Sequence, residues 1–198
     1  MRTELFLLPY VILFTTVAIF WRVYRVWRLS GINSLTNSPS EGIPQIVSYY
    51  FRFTFALTVI VAMLGVIPTE NREFLAPISL LENSIVDSVG WLILCLVFVL
   101  VVVAQVQMGK AWRISVDPEQ TTKLVSNGLF QWSRNPIFVG MRGWYLGIFL
   151  VMPNALTLLL WVLGDLLIQL QVRLEEAYLI ETFSDEYHAY MTTVRRWL

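Results

Sequence analysis

Between Asp87 and Lys110 the chain runs for 22 residues without a charge. That run includes Val97 to Val103, β-branched enough to suit a strand, but the whole is too long for one. A helix needs about 20 apolar residues to cross a bilayer core of about 30 Å, and this segment meets that length. Other stretches follow the same pattern. Leu5 to Trp21 is uncharged between Glu4 and Arg22, and the residues around Ala18 to Arg22 make a poor cleavage site, so a retained first span is expected rather than a removable leader. A second block runs from about Ile46 to Ile67, interrupted by Arg52 and ended by the breaker and charges of Pro68-Thr69-Glu70-Asn71-Arg72. The apolar material from Ile137 to Val172 reads either as one span, Gly143 to Gly164, or as a hairpin turning at Pro153-Asn154.

The distribution of arginine and lysine separates these two readings, because cytoplasmic connections are enriched in both. With five spans, residues 22–45 (Arg22, Arg25, Arg28), 108–136 (Lys110, Arg113, Lys123, Arg134) and the tail (Arg173, Arg195, Arg196) share one side, ten cations against Arg2 and Arg72 on the other. Four spans would move the tail to the other face and leave seven or eight against five, depending on where Arg142 falls. The expectation is therefore an all-α, multi-pass integral membrane bundle of about five transmembrane helices, N-terminus outside and C-terminus cytoplasmic. Residues 1–107 form the first three spans. Residues 108–198 form a loop, a helical hairpin and a C-terminal cytoplasmic helix that together make a cofactor pocket, all within one integrated domain.

Only 14% of the residues are charged, against about 25% in soluble domains, and the formal net charge is zero. No basic excess exists for nucleic acid, so none is expected as a partner; the bilayer itself is. One cysteine (Cys95) and one histidine (His188) cannot make a disulfide or a multi-ligand zinc site, so no metal is expected. Ser30 to Pro44, rich in Gly, Ser, Asn and Pro, reads as a connection. Past the last span the tail regains charge and reads as helical, with Leu170, Leu174 and Tyr178 on one face.

The polar insertion 108–136 is long for a loop in a small membrane protein, and such loops tend to carry function. By composition alone it equally suits a solvated connector held at the head groups by Trp112, Trp132, Arg113 and Arg134. Its sequence is more specific. Leu124-Val125-Ser126-Asn127-Gly128-Leu129-Phe130-Gln131-Trp132-Ser133-Arg134-Asn135-Pro136-Ile137-Phe138-Val139-Gly140 resembles the L-V-x-x-G-[aromatic]-x-x-x-R-[His/Asn]-P-x-[aromatic]-x-G signature of the isoprenylcysteine carboxyl methyltransferase and phospholipid methyltransferase superfamily. The stretch Arg173 to Tyr190 is similar to that family's R-x-E-E-x-x-L-x-x-x-F-G-x-x-Y-x-x-Y tail, and Gly109 to Ile114 resembles what bacterial members carry upstream. Two departures stand out: Asn135 where the isoprenylcysteine enzymes usually have His, and Ser184 where they have Gly.

The resemblance implies an integral membrane methyltransferase using S-adenosyl-L-methionine and an amphipathic or lipid-like acceptor, either a prenylcysteine-type carboxylate or a phospholipid amine. It also implies where the cofactor's parts would be met. Backbone groups of Lys123, Leu124 and Val125, near Gly128, would hold the adenine. Phe130, Phe138 and Tyr145 offer aromatic faces to the adenine or sulfonium. Asn135 and Pro136 open a helix whose free N–H groups favour a carboxylate, and Glu175 and Glu176 would take the ammonium or ribose hydroxyls. Arg134, Arg142 and Arg173 are candidates for the substrate head group. Arg142 and Asp165 stand inside apolar helices, where an unpaired charge costs about 2.5 to 3.5 kcal/mol, so mutual pairing is one expectation and a polar head group another. A non-catalytic lipid- or partner-binding protein and a sterol-reductase-like enzyme using NADPH are the alternative readings.

Overall fold

A computed structural model describes residues 3–30, 42–68, 71–109 and 124–198. The first span starts as a 3-10 turn, Thr3–Phe6, and continues as α1 (Leu7–Thr15), a wider π-helical stretch Thr16–Trp21 and α2 (Arg22–Ser30). Then come α3 (Ile43–Leu64), α4 (Ser84–Met108), α5 (Pro136–Val151) and α6 (Ala155–Thr193). Among the described residues there is no β-strand, only an isolated bridge between Pro77 and Asn154. Among the described residues, four helices are long and apolar enough to cross a membrane: 3–28, 43–64, 84–108 and 155–193.

The hairpin reading holds, with unequal arms. Asn154 stops one helix and starts the next: its side chain accepts from the N–H groups of Leu156 and Thr157, and the Thr157 hydroxyl accepts from the Asn154 N–H. That reciprocal cap satisfies donors a helix start leaves open. The first arm, α5, has 16 residues, about 24 Å at 1.5 Å per residue, shorter than the other spans. The second, α6, has 39 residues, about 58 Å, and so outruns any bilayer core.

The helices are inside out by the standards of a soluble bundle. Leu158, Leu159, Val162, Leu166 and Leu170 of α6 point outward, while Leu160, Gly164, Ile168, Val172 and Glu176 form its buried stripe. The tail is helical as expected, but the face bearing Leu170 is not the buried one. In lipid the driving force for burying leucine is gone, and close packing of small residues takes over. The α4–α5 seam illustrates this: a Cβ added to Gly140, Gly143 or Gly147 would come within 2.4, 2.6 and 2.7 Å of Val101, Val97 and Leu94 respectively.

One end of the bundle is closed by main-chain bonds between the segment before α4 and the α5–α6 turn, Ile78 N–H to the Pro153 carbonyl and Ala155 N–H to that of Ala76. Thr3 donates to Asp87 there, and Arg72 pairs with Glu4 at 3.5 Å. A cleft of about 480 Å³ opens among these residues. The sequence signature lies at the other end, where α4 finishes, α5 begins and α6 runs out past its apolar stretch.

Candidate functional site

The signature's main chain enters as irregular coil at Leu124 and Val125, both half-buried, and tightens into a 3-10 turn, Gly128–Gln131. Gly128 has φ +62°, a conformation that side chains rarely adopt. Phe130 is buried, and its carbonyl accepts from the Tyr190 hydroxyl. Trp132 is exposed and Ser133 fully buried. Lys123, along with Lys110, Trp112 and Arg113, lies outside the described residues.

Pro136 then occupies the first turn of α5, where its missing N–H costs nothing. Asn135, the residue before it, makes no side-chain cap to the helix. Its amide instead donates to Glu176 Oε1 at 3.4 Å and to the Arg196 carbonyl at 3.2 Å. Arg134 meets the same Glu176 oxygen through Nε at 3.2 Å and Nη2 at 3.1 Å, and Arg196 grips Oε2 through Nε at 2.9 Å and Nη2 at 2.7 Å. Glu176 is 4% exposed, so a buried carboxylate has both oxygens engaged by two guanidinium groups and an amide, as a buried charge requires. Its hydrogen bond holds the Arg196 guanidinium above the usual arginine range.

The last described residues complete this arrangement. Val194 leaves the helix with an extended backbone, and the irregular strap behind it returns to the residues just before α5: Arg134 N–H donates to the Arg195 carbonyl at 2.9 Å, and the Ser133 hydroxyl to that of Arg196. The reversal begins at Ser184, which breaks α6 with φ +42°. The family's glycine at that position suits such a backbone; serine holds it under strain. Sequence reasoning missed the strap. Its one visible signal was the Arg195-Arg196-Trp197 cluster after a helical tail.

The remaining expected residues fall around this centre. Glu175 is half-buried beside Glu176, Phe138 is half-buried on α5, and Arg173 is exposed one turn earlier on α6. Tyr145 is buried deep in the bundle, its hydroxyl donating to Thr54 Oγ1 at 3.2 Å. Arg142 does pair with Asp165, which also accepts from Gln169 at 2.6 Å, and the Trp197 ring covers the guanidinium at 4.6 Å. Two of the three arginines expected at a head group are thus paired with the chain's own carboxylates. Among the described residues, no group of three or more His, Cys, Asp or Glu is arranged to hold a metal.

Residues 86–186 match the family model described as phospholipid methyltransferase. Over 83 residues, 41% of this chain, the sequence is 35% identical to the protein-S-isoprenylcysteine O-methyltransferase of Saccharomyces cerevisiae, and the match covers 34% of that relative. The matched residues hold nearly all of α4, the signature turn, α5 and most of α6, and with them Arg134, Asn135 and Glu176 of the network, while Arg196 lies beyond them. On that footing the chain belongs to the phospholipid methyltransferase family.

Proposed function

We propose that the chain is an integral membrane methyltransferase that uses S-adenosyl-L-methionine at the rim holding Glu176 and acts on an amphipathic or lipid-like acceptor, a prenylcysteine-type carboxylate or a phospholipid amine. The observation that carries this reading is the meeting of two motifs: Asn135 and Glu176, 41 residues apart, touch at the start of α5. On the same reading that rim is cytoplasmic, as the one-sided arginines and lysines favour, and residues 108–198 work as one unit with the spans of 1–107.

The donor set suits the cofactor. Glu176 is fully engaged, which leaves the half-buried Glu175 as the carboxylate for an ammonium. Arg196 uses Nε and Nη2 on Glu176 and is 42% exposed, so its outer edge is available to a carboxylate. The half-buried main chain of Leu124 and Val125, which leads into Gly128 at φ +62°, offers backbone groups to a flat base. Phe130 and Phe138 line the same turn and helix start. When bound, the cofactor supplies an electrophilic methyl on a sulfonium, so the protein's task is alignment and exclusion of water. A carboxylate acceptor needs no base. The lone histidine suits that, since the exposed His188 ring meets the Ser184 carbonyl of its own helix, 2.8 Å away.

Titrating the purified full chain with S-adenosylhomocysteine and with NADPH tests the reading. Saturable binding of the first is expected, weakened about tenfold, or 1.4 kcal/mol, by Glu175→Ala and by Asn135→Ala and unchanged by Glu4→Ala at the far end. Absence of such binding overturns the proposal. Binding of NADPH instead identifies a reductase, and binding of neither a non-catalytic protein. Labelled methyl transfer to prenylcysteines, phospholipids and small apolar carboxylates then identifies the acceptor.

A further inference from the structure

We infer that Gln107, near the end of α4, is a positioning residue that fixes the main chain of the cofactor-binding turn; the inference rests on the function proposed above. Gln107 lies outside the signature, at the polar end of a long uncharged run. Its Oε1 accepts the Leu129 N–H at 2.7 Å. Its amide also lies flat against Gly128, so that a Cβ there would sit 2.5 Å from Cδ and 2.6 Å from both Nε2 and Oε1. One side chain therefore fixes two consecutive residues, by a hydrogen bond at one and by contact at the other.

The next residue is held from another direction, since the Phe130 carbonyl accepts from Tyr190 of α6. The turn Gly128–Gln131 is thus gripped by side chains from two helices, and its first amides find partners that a short turn lacks. The post on which Gln107 stands is itself tied. Gln105 donates to the Ala18 carbonyl at 2.9 Å, and Arg22 donates to the Gly109 carbonyl. Ala18 lies in the π-helical stretch of the first span, where the wider turn alters the usual carbonyl pairing. The first span thus fixes the end of α4, and α4 fixes the turn. Without the Leu129 bond, the coil at 124–128 keeps its attachment at Phe130 but loses its register, so cofactor affinity suffers before folding does.

The test uses the full chain in lipid nanodiscs, with Gln107→Leu removing the acceptor and Gln107→Glu keeping it. S-adenosylhomocysteine affinity, hydrogen exchange across 124–134 and thermal unfolding are read together. Gln107→Leu is expected to bind about tenfold more weakly and to exchange faster at Leu129, with its unfolding temperature near that of the parent, while Gln107→Glu restores both binding and protection. Parent-like binding by Gln107→Leu, or a loss that Gln107→Glu does not restore, overturns the inference and leaves the proposed function standing. Failure of the parent chain to bind overturns the proposed function and the inference with it. Should Gln107→Leu not fold, Gln107→Asn, one methylene short of Leu129, takes its place with the same expected outcomes.

Discussion

Glu176 and Asp165 stand eleven residues apart on α6, each matched by arginine, and they are held in different ways. Glu176 is 4% exposed and its partners come from two distant segments, Arg134 with Asn135 and the strap's Arg196. Asp165 has a side chain 24% exposed, and its partners are Arg142 of the neighbouring helix and Gln169 of its own. The first carboxylate joins pieces of chain that are distant in sequence and that also meet through bonds to the Arg195 and Arg196 carbonyls. The second neutralises a charge that its helix already carries into an apolar region. Strength of attraction matters less here than what each loss leaves behind.

Glu176→Ala leaves two guanidinium groups facing each other beside a helix N-terminus, so it should be the costliest change, about 3 to 5 kcal/mol. Thermal unfolding in detergent would report it, as would, on the proposed function, loss of cofactor affinity. Asp165→Asn leaves one arginine inside the apolar layer, at about 2 to 3 kcal/mol. Removing Arg142 as well should return most of that loss, and a double-mutant cycle with no coupling would break the comparison. Ser184→Gly relieves the backbone that turns the strap toward Glu176 and should stabilise by about 1 kcal/mol, raising the unfolding temperature. Trp197→Leu keeps apolar contact but removes the ring over Arg142, and costs about 0.5 to 1 kcal/mol, visible only if the Asp165 pair is as weakly supported as its exposure indicates.

The spans could be read from the sequence because charge in a bilayer is expensive and its absence over 22 residues is conspicuous. The hairpin could be read because Pro153-Asn154 breaks one helix and caps another, and the Arg142–Asp165 pair because each needed an answer inside an apolar helix. The face of α6 could not: leucine spacing marks a buried face in water, whereas in lipid it marks the outside. Nor did any spacing reveal that Arg134 faces Glu176, 42 residues later, or that Gln107 reaches Leu129. Those pairings depend on where α4, α5 and α6 finish relative to one another, a property of the packed bundle rather than of any one segment. The motif resemblance singled out both segments that meet at Glu176 without giving the bonds between them.

The strap has a consequence in time. Glu176 waits 20 positions for Arg196, since that guanidinium engages its Oε2, and the Asn135 amide, which also donates to Glu176 Oε1, gains its second acceptor in the Arg196 carbonyl. During synthesis α5 and α6 can insert as a finished hairpin with the signature turn already alongside α4, yet the rim has an unmatched carboxylate oxygen until Arg196 has emerged. Insertion of the helices and completion of the Glu176 network are therefore separate events, and a chain halted between Thr193 and Arg196 would have its helices without the Arg196 half of that network.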